Sequence, residues 1–304
     1  MASSQNANRI VQFAFAQAMV ELTSQAARCG RILPAGDAAV IRIGQGAFGG
    51  IGQTLSRTAT DAALSDYFTY ETEFSLVKKV VKHKVPVHTM TSDVAFQDAG
   101  KQLSMAALAT LDQMFFDGLA GLFTADHPRA GAGAGQVGAG KKYLDTGLKF
   151  LAGEGGEGTQ DNLLTGALDE ANLNNAIKLL LAQRTDRGIP AKIGSMGGLT
   201  LIVDPKNAKI AHELVKSQLS GADMASNFVS GVVQNIVATP MSVDDDDWFL
   251  TDPLMAPIGL GVGADPTARI SVTTDGLFYE LVAEVMATFF KAPYEQGLVG
   301  SNFA

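Results

Sequence analysis

Residues 36–69 constrain this chain more than any other stretch. The run GDAAVIRIGQGAFGGIGQTLSRTATDAALSDYFT is dominated by glycine, alanine, serine and threonine. Its few large apolar side chains cannot close a core, yet Ala39, Val40, Ile41, Arg42 and Ile43 alternate as a strand does. A long two-stranded excursion fits this pattern better than a packed domain. Such a ribbon is marginal alone in water, so the rest of the chain, or another copy of it, has to support it.

The flanking segments supply candidates for that support. Near the N-terminus Val11, Phe15, Met19 and Leu22 share one helical face, which Ile10, Phe13 and Val20 widen. The stripe fits either a core helix or an arm docked on a neighbour. From Tyr70 to His88 polar and apolar residues interleave as in strands. Ser92 or Asp93 then caps a helix whose apolar face carries Phe96, Leu103, Ala107, Leu111, Met114 and Leu122. At about 1.5 Å per residue this spine approaches ~45 Å. Residues 130–160, rich in glycine and alanine, read as exposed loop with a short helix at 143–150. Next come a helix through Leu173, Ile177, Leu180 and Leu181, and a strand at 199–203. Asp204 and Pro205 cap a further helix, and β-rich runs follow at 228–229 and 232–237. Arg269, Ile270, Ser271 and Val272 form another extended run. A β-rich stretch at 277–290 closes the chain, placed to pair with the strand after Tyr70.

Charged residues are only 18% of the chain, below the usual ~25%. A low count implies that some surface is buried against other copies or partners. The 46% hydrophobic share excludes intrinsic disorder. The net charge of −8 leaves no basic excess to release counterions, which disfavours tight binding of DNA but not its loose containment. The single cysteine, Cys29, allows neither an internal disulfide nor a cysteine-based metal cluster. The N-terminus lacks the pattern of a secretory signal, and no apolar run reaches the ~18 residues of a membrane span. The expectation is a chain made and folded in a cytoplasm.

Motifs with chemistry are weak. Gly44, Gly46 and Gly49 match the spacing of a dinucleotide fingerprint, but IGQTLSRTAT is a poor helix start. The run ending in Gly140 and Lys141 has Lys142 where a phosphate-binding loop needs serine or threonine. His212 and Glu213 begin a zinc-protease pattern that Lys216 breaks. The aspartates at 244–247 read as a solvated loop or a site for a hard cation. Lys78, Lys79, Lys82 and Lys84 surround His83 in the one dense basic cluster, suited to phosphate, to an acidic neighbour or to solvent. The sequence therefore implies no cofactor, metal or catalytic residue.

The order of elements resembles the major capsid proteins of tailed bacteriophages, with their α+β HK-ninety-seven-type fold. The later half is most similar to the Mu-like major head subunits. LIVDPKNAKIAHELVKS resembles their apical strand and helix. DDDDWFLTDPLMAPIGLGVG resembles their Asp-x-x-Trp segment, here from Asp245 to Leu250. TTDGLFYELVAEVMATFFKAPYEQG resembles their closing strand. The resemblance implies an N-terminal arm (1–35), an extended loop (36–69), a peripheral domain (70–160 and 265–304) and an axial domain (161–264). It implies subunit contacts by Arg42, Gly44, Gly46, Phe48, Gly49, Gly50 and Arg57 in the loop, and by Val11, Phe15 and Met19 in the arm.

The implied function is structural. Hexamers and pentamers would close an icosahedral head around double-stranded DNA, with a separate scaffolding protein, a portal at one vertex and room for a decoration protein. The head would assemble in the host cytoplasm without any membrane. Two departures stand out. Residues 36–69 hold no lysine for the covalent weld some relatives make, despite Asn302. The sequence also begins almost directly with the arm, without the long helical extension of self-scaffolding relatives, so the expectation is a separate scaffolding protein or a chain already trimmed. An encapsulin-type shell around protein cargo is the alternative within the fold. A nucleotide-binding oxidoreductase, resting on the glycine motif, is the alternative outside it.

Overall fold

Ser92 opens the longest helix: its side-chain oxygen accepts a hydrogen bond from the Ala95 amide at 3.3 Å. Asp93 in the first turn adds charge that suits the positive end of the helix dipole. The computed structural model describes residues 4–21, 24–36, 40–47, 68–132, 136–152, 156–185, 188, 190–191, 193–194, 198–216, 219–220, 225–226, 228–240, 246–255, 257–263 and 266–302.

The first half runs α1 (Ser4–Glu21), α2 (Ala26–Cys29), β1 (Arg31–Gly36), β2 (Val40–Ala47), β3 (Phe68–Ser75), β4 (Val77–Pro86), α3 (Asp93–Ala120), β5 (Leu148–Ala152), β6 (Gly156–Gln160) and β7 (Leu163–Leu164). The second runs α4 (Glu170–Ala182), β8 (Leu199–Val203), α5 (Ala208–Lys216), β9 (Leu219–Ser220), β10 (Ala225–Ser226), α6 (Phe228–Val232), β11 (Val233–Ala238), β12 (Trp248–Thr251), β13 (Ile258–Gly263), β14 (Thr267–Val272), β15 (Phe278–Lys291) and β16 (Leu298–Ser301).

Two five-stranded sheets organise the chain. In the first, the long strand β15 pairs antiparallel with β4 from Phe278 to Ala287. It pairs with β14 from Tyr279 to Glu284 and with β13 from Ala287 to Lys291. β1 adds in parallel to β13. The spine helix α3 covers this sheet, with Phe96 edge-on to Tyr279 and Phe115 edge-on to Phe289. In the second sheet the order is β11-β8-β12-β16-β7. Every residue of β8, β12 and β16 is buried, the signature of strands covered on both faces. Leu201, Val203, Leu250 and Val299 face Leu173, Ile177, Leu180, Ala211 and Val215 of α4 and α5. Ile202, Phe249 and Leu298, of opposite parity, join the core around α3. The second sheet is thus the wall between two cores.

Sheet membership cuts across the expected domain bounds at two strands. β13 lies in the stretch assigned to the axial domain but pairs with β15 in the first sheet. β16, assigned to the peripheral domain, pairs with β12 in the second. The chain crosses between sheets at 252–257 and again at 292–297, and composition shifts at neither crossing. The expected helix at 143–150 is absent: Tyr143 and Leu144 are fully buried, and β5 begins at Leu148. The β-rich run at 228–229 is the start of the short helix α6. The helix over 93–122, the strand at 199–203 and the pairing of β15 with β4 follow the sequence pattern.

A Cβ on Gly100 would lie 2.7 Å from the Val11 carbonyl oxygen and 2.9 Å from the Ala14 Cβ, so α1 and α3 touch through this glycine. Gly100→Leu is expected to lower the urea midpoint by the equivalent of about 1–3 kcal/mol, a cost of overpacking that exceeds the gain of about 1 kcal/mol in helix propensity. An unchanged midpoint would mean that the helices do not pack there.

Candidate assembly site

The excursion at 36–69 begins and ends as a β-hairpin. β2 pairs antiparallel with β3, Val40 opposite Ser75 and Ala47 opposite Phe68. Among the described residues no third strand joins this pair. At its base the Phe74 ring lies 6.4 Å from Phe290 of the first sheet. Arg42, Gly44 and Gly46 stand on β2 opposite Glu73, Glu71 and Thr69. Phe48, Gly49, Gly50 and Arg57 lie outside the described residues. A dinucleotide fingerprint needs a parallel strand–helix–strand unit; the antiparallel partner of β2 overturns the oxidoreductase reading of the glycine motif.

The N-terminal stripe has its partners within the chain. Val11 and Phe15 are buried against α3, and Met19 packs at the edge of the same core. Within the chain the apolar stripe is thus turned to its own core, the core-helix alternative of the sequence reading. The helix also shields a sheet edge, because the Asn8 side-chain oxygen accepts from the Ile270 amide of β14 at 3.1 Å. Phe13, on the opposite face, is 72% exposed. At the end of α1, Asp112 of the spine accepts from the Ser24 hydroxyl and from the Ala26 amide, fixing the turn into α2.

Sequence reasoning missed a fully buried charged cluster. Glu295 is fully buried on the crossing from β15 to β16. Its Oε2 accepts from Arg129 Nη2 at 2.9 Å and lies 3.0 Å from His127 Nε2. Its Oε1 accepts from Gln160 Nε2 at 2.7 Å. The Arg129 amide donates to His127 Nδ1, which places the imidazole proton on Nε2, facing the carboxylate. Arg129 Nε donates to the Pro293 carbonyl, and the guanidinium lies 4.3 Å over the Tyr294 ring. Burial opposes the charge on Glu295, but Arg129 and the hydrogen bond from His127 outweigh it and hold the carboxyl well below the usual range. Beside it, burial and the Glu295 charge push the Tyr143 phenol up. The Tyr143 hydroxyl lies within hydrogen-bonding distance of the Pro257, Ala292 and Tyr294 carbonyls, gathering both crossings around one side chain.

The other candidates are paired or scattered. Lys78 bonds Glu284 at 2.6 Å and Lys82 lies 3.7 Å from Glu280, so two members of the basic cluster meet acids on β15. Lys141 Nζ reaches Asp145 and the Thr146 carbonyl. Asp246 pairs with Lys206 and Asp247 is buried, while positions 244–245 lie outside the described residues. Among the described residues no group of three His, Cys, Asp or Glu could hold a metal, and no helix is long and apolar enough to cross a membrane. The described part of the Asp-x-x-Trp segment, 246–250, leads into β12, and Asp252 after it opens the first crossing. Trp248 donates to the Gly166 carbonyl at 3.0 Å, and Asp252 accepts from the Gly194 and Leu254 amides.

An extended hairpin, a spine helix on the first sheet and a second sheet between two cores define the HK-ninety-seven-type capsid fold. The chain is similar to a virus-like particle from Pyrococcus furiosus at 10% identity and TM-score 0.53, covering 97% of this chain and 99% of that one. It is similar to the capsid of a native GTA particle at 11% identity and TM-score 0.58, covering 93% and 91%. It is also similar to the mature capsid of bacteriophage PhiM1 at 13% identity and TM-score 0.56, covering 93% and 88%. No family model and no curated protein matches the sequence.

The depressed acidity of Glu295 has a signed consequence. Its charge stabilises the fold at pH above the ordinary glutamate value of about 4.3, and that contribution is lost as pH falls toward the folded value. Glu295→Gln leaves Arg129 buried without its counter-charge and is expected to cost about 3–5 kcal/mol near neutral pH. Melting temperatures of both proteins from pH 7 downward should converge below about pH 4.5. A gap that stays constant over that range would show that the carboxylate does not carry the effect.

Proposed function

We propose that this chain is the major capsid protein of a tailed bacteriophage, a structural tile that assembles into hexamers and pentamers and closes an icosahedral head around double-stranded DNA. The observation that carries this reading is the β2–β3 hairpin: two strands with no third among the described residues, in a fold shared with capsid and virus-like particle proteins. Ribbons of this kind gain stability by lying on something else, and a second subunit is the surface a repeating shell supplies. Many weak contacts repeated by symmetry then close the particle without a strong single site.

On this reading residues 36–69 lie across an adjacent subunit and present Arg42, Gly44, Gly46, Phe48, Gly49, Gly50 and Arg57 to it. Residues 70–160 and 265–304 form the body of the peripheral domain, to which β13 adds a strand and from which β16 departs to the second sheet. Residues 161–264 turn their loops toward the five-fold and quasi-six-fold axes. The protein carries no catalytic step. Its partners are other copies of itself, a separate scaffolding protein, a portal and loosely held DNA, with a decoration protein outside. It is built in the host cytoplasm and ends in the virion. The net charge of −8 suits an inner wall that confines DNA without gripping it. An encapsulin-type shell is the second reading, supported by the likeness to a virus-like particle over nearly the full length of both chains.

Deleting residues 44–52 tests the hairpin's role. Electron microscopy should show soluble capsomers in place of the closed shells of the full chain; normal particles from the deletion would contradict the assignment. Nuclease-protected double-stranded DNA inside native particles supports the phage head, and a protein cargo without DNA supports the second reading.

A further inference from the structure

Glu295, Arg129 and His127 are costly to bury. All three side chains are at most 1% exposed. Taking a carboxylate and a guanidinium out of water costs several kcal/mol per ion, and apolar replacements of such pairs are often neutral or stabilising. The cluster therefore has a weak claim to be present for stability. Its place in the fold suggests another role. The two sheets are joined by the crossings at 252–257 and 292–297. The body around the spine helix meets the second sheet through apolar side chains, Phe123 on Phe249 with Leu122, Leu144, Ile202 and Leu298 in one cluster, and through neutral hydrogen bonds such as those of Tyr143 to both crossings and of Thr200 to the Arg28 carbonyl. Apolar contact is non-directional, so it favours closeness without selecting one relative orientation. Charge-assisted hydrogen bonds do select one.

We propose that the Glu295–Arg129–His127 cluster is a positioning device that selects a single relative orientation of the two sheets, and through it the geometry of the tile. The carboxylate is bound by three elements at once. His127 and Arg129 extend from the end of the spine helix. Gln160 ends β6 and leads directly into β7 of the second sheet. Glu295 itself sits on the strand-to-strand crossing, which Arg129 grips a second time at the Pro293 carbonyl. Rotating one sheet against the other would shear these bonds together, whereas the apolar contacts could re-form elsewhere. Next to the cluster Gly297 has φ +95°, and a Cβ there would lie 3.0 Å from the Met255 Cβ. The two crossings therefore run in contact, and an error in one is passed to the other. The consequence for shells rests on the capsid reading; the orientation itself does not.

The test neutralises the pair while keeping its volume: Arg129→Met combined with Glu295→Gln, which leaves His127 an acceptor. Spin labels at Met105→Cys and Lys209→Cys report the distance between α3 and α5 in labelled chain diluted with unlabelled chain. Cys29 is buried and stays unlabelled. The expected result is a melting temperature within a few degrees of the parent and a distance distribution about twofold wider or more, as expected when the buried pair serves specificity and not stability. In assembled material the same variant should give shells of mixed diameter. A distribution as narrow as the parent's overturns the proposal. So does a double variant that fails to fold, because the cluster would then be a stability element. If the parent chain forms no shells at all, the capsid reading fails, while the distance distribution still decides this proposal.

Discussion

The arrangement depends on one constraint: the chain passes between its two sheets through two crossings that run side by side, the second of them buried throughout. Tyr143 reaches the carbonyls of both crossings, and Glu295 ties the second to Arg129, His127 and Gln160. Both crossings are built from backbone that leaves one ladder and has not yet joined the next. Polar groups there must find side-chain partners or remain unsatisfied in an apolar setting. Gln183 serves the same need: its amide donates to the Leu298 carbonyl and its oxygen accepts from the Gly297 amide. With the crossings held, β12 and β16 can lie next to each other in the second sheet while β13 and β15 lie next to each other in the first.

The elements outside that junction divide into those with their own core and those without. The spine helix and the first sheet form a body to which α1 adds a buried face. The second sheet has α4 and α5 on one side and the first core on the other. Among the described residues the hairpin β2–β3 meets the first sheet at its base, through Phe74 on Phe290. On the proposed reading, a body carrying a two-stranded ribbon suits a shell subunit, since such a ribbon gains stability where a neighbour completes it. The low charge content agrees with this division, because surfaces destined for burial carry fewer ions.

What could be read from the sequence follows from the range of each interaction. Ser92 and the positions of Phe96, Leu103, Ala107 and Leu111 announce the spine helix, because capping and helical periodicity are local. Alternation announces β4 and β15, and Asp204 with Pro205 announces the start of the next helix. The apolar stripe through Val11 and Phe15 was legible as a stripe, but a core helix and a docking arm share that pattern; only the position of Gly100 on the spine decides between them. The Glu295 cluster left no local signal. Glu295 and Arg129 are 166 residues apart, and a glutamate in PYEQ looks like any solvated loop residue. Tyr143 is hidden in the same way, within a stretch so rich in glycine that its burial has no periodic mark.

The central claim is that the hairpin is incomplete in one subunit and completed by another. Amide hydrogen exchange, read strand by strand in the free subunit and in the assembled particle, tests it most directly. The account predicts that amides of β2 and β3 exchange quickly in the free chain, while those of β8 and β15 are protected in both states. On assembly the hairpin amides should slow by at least an order of magnitude. Hairpin amides already as protected in the free subunit as those of β15 would contradict the account.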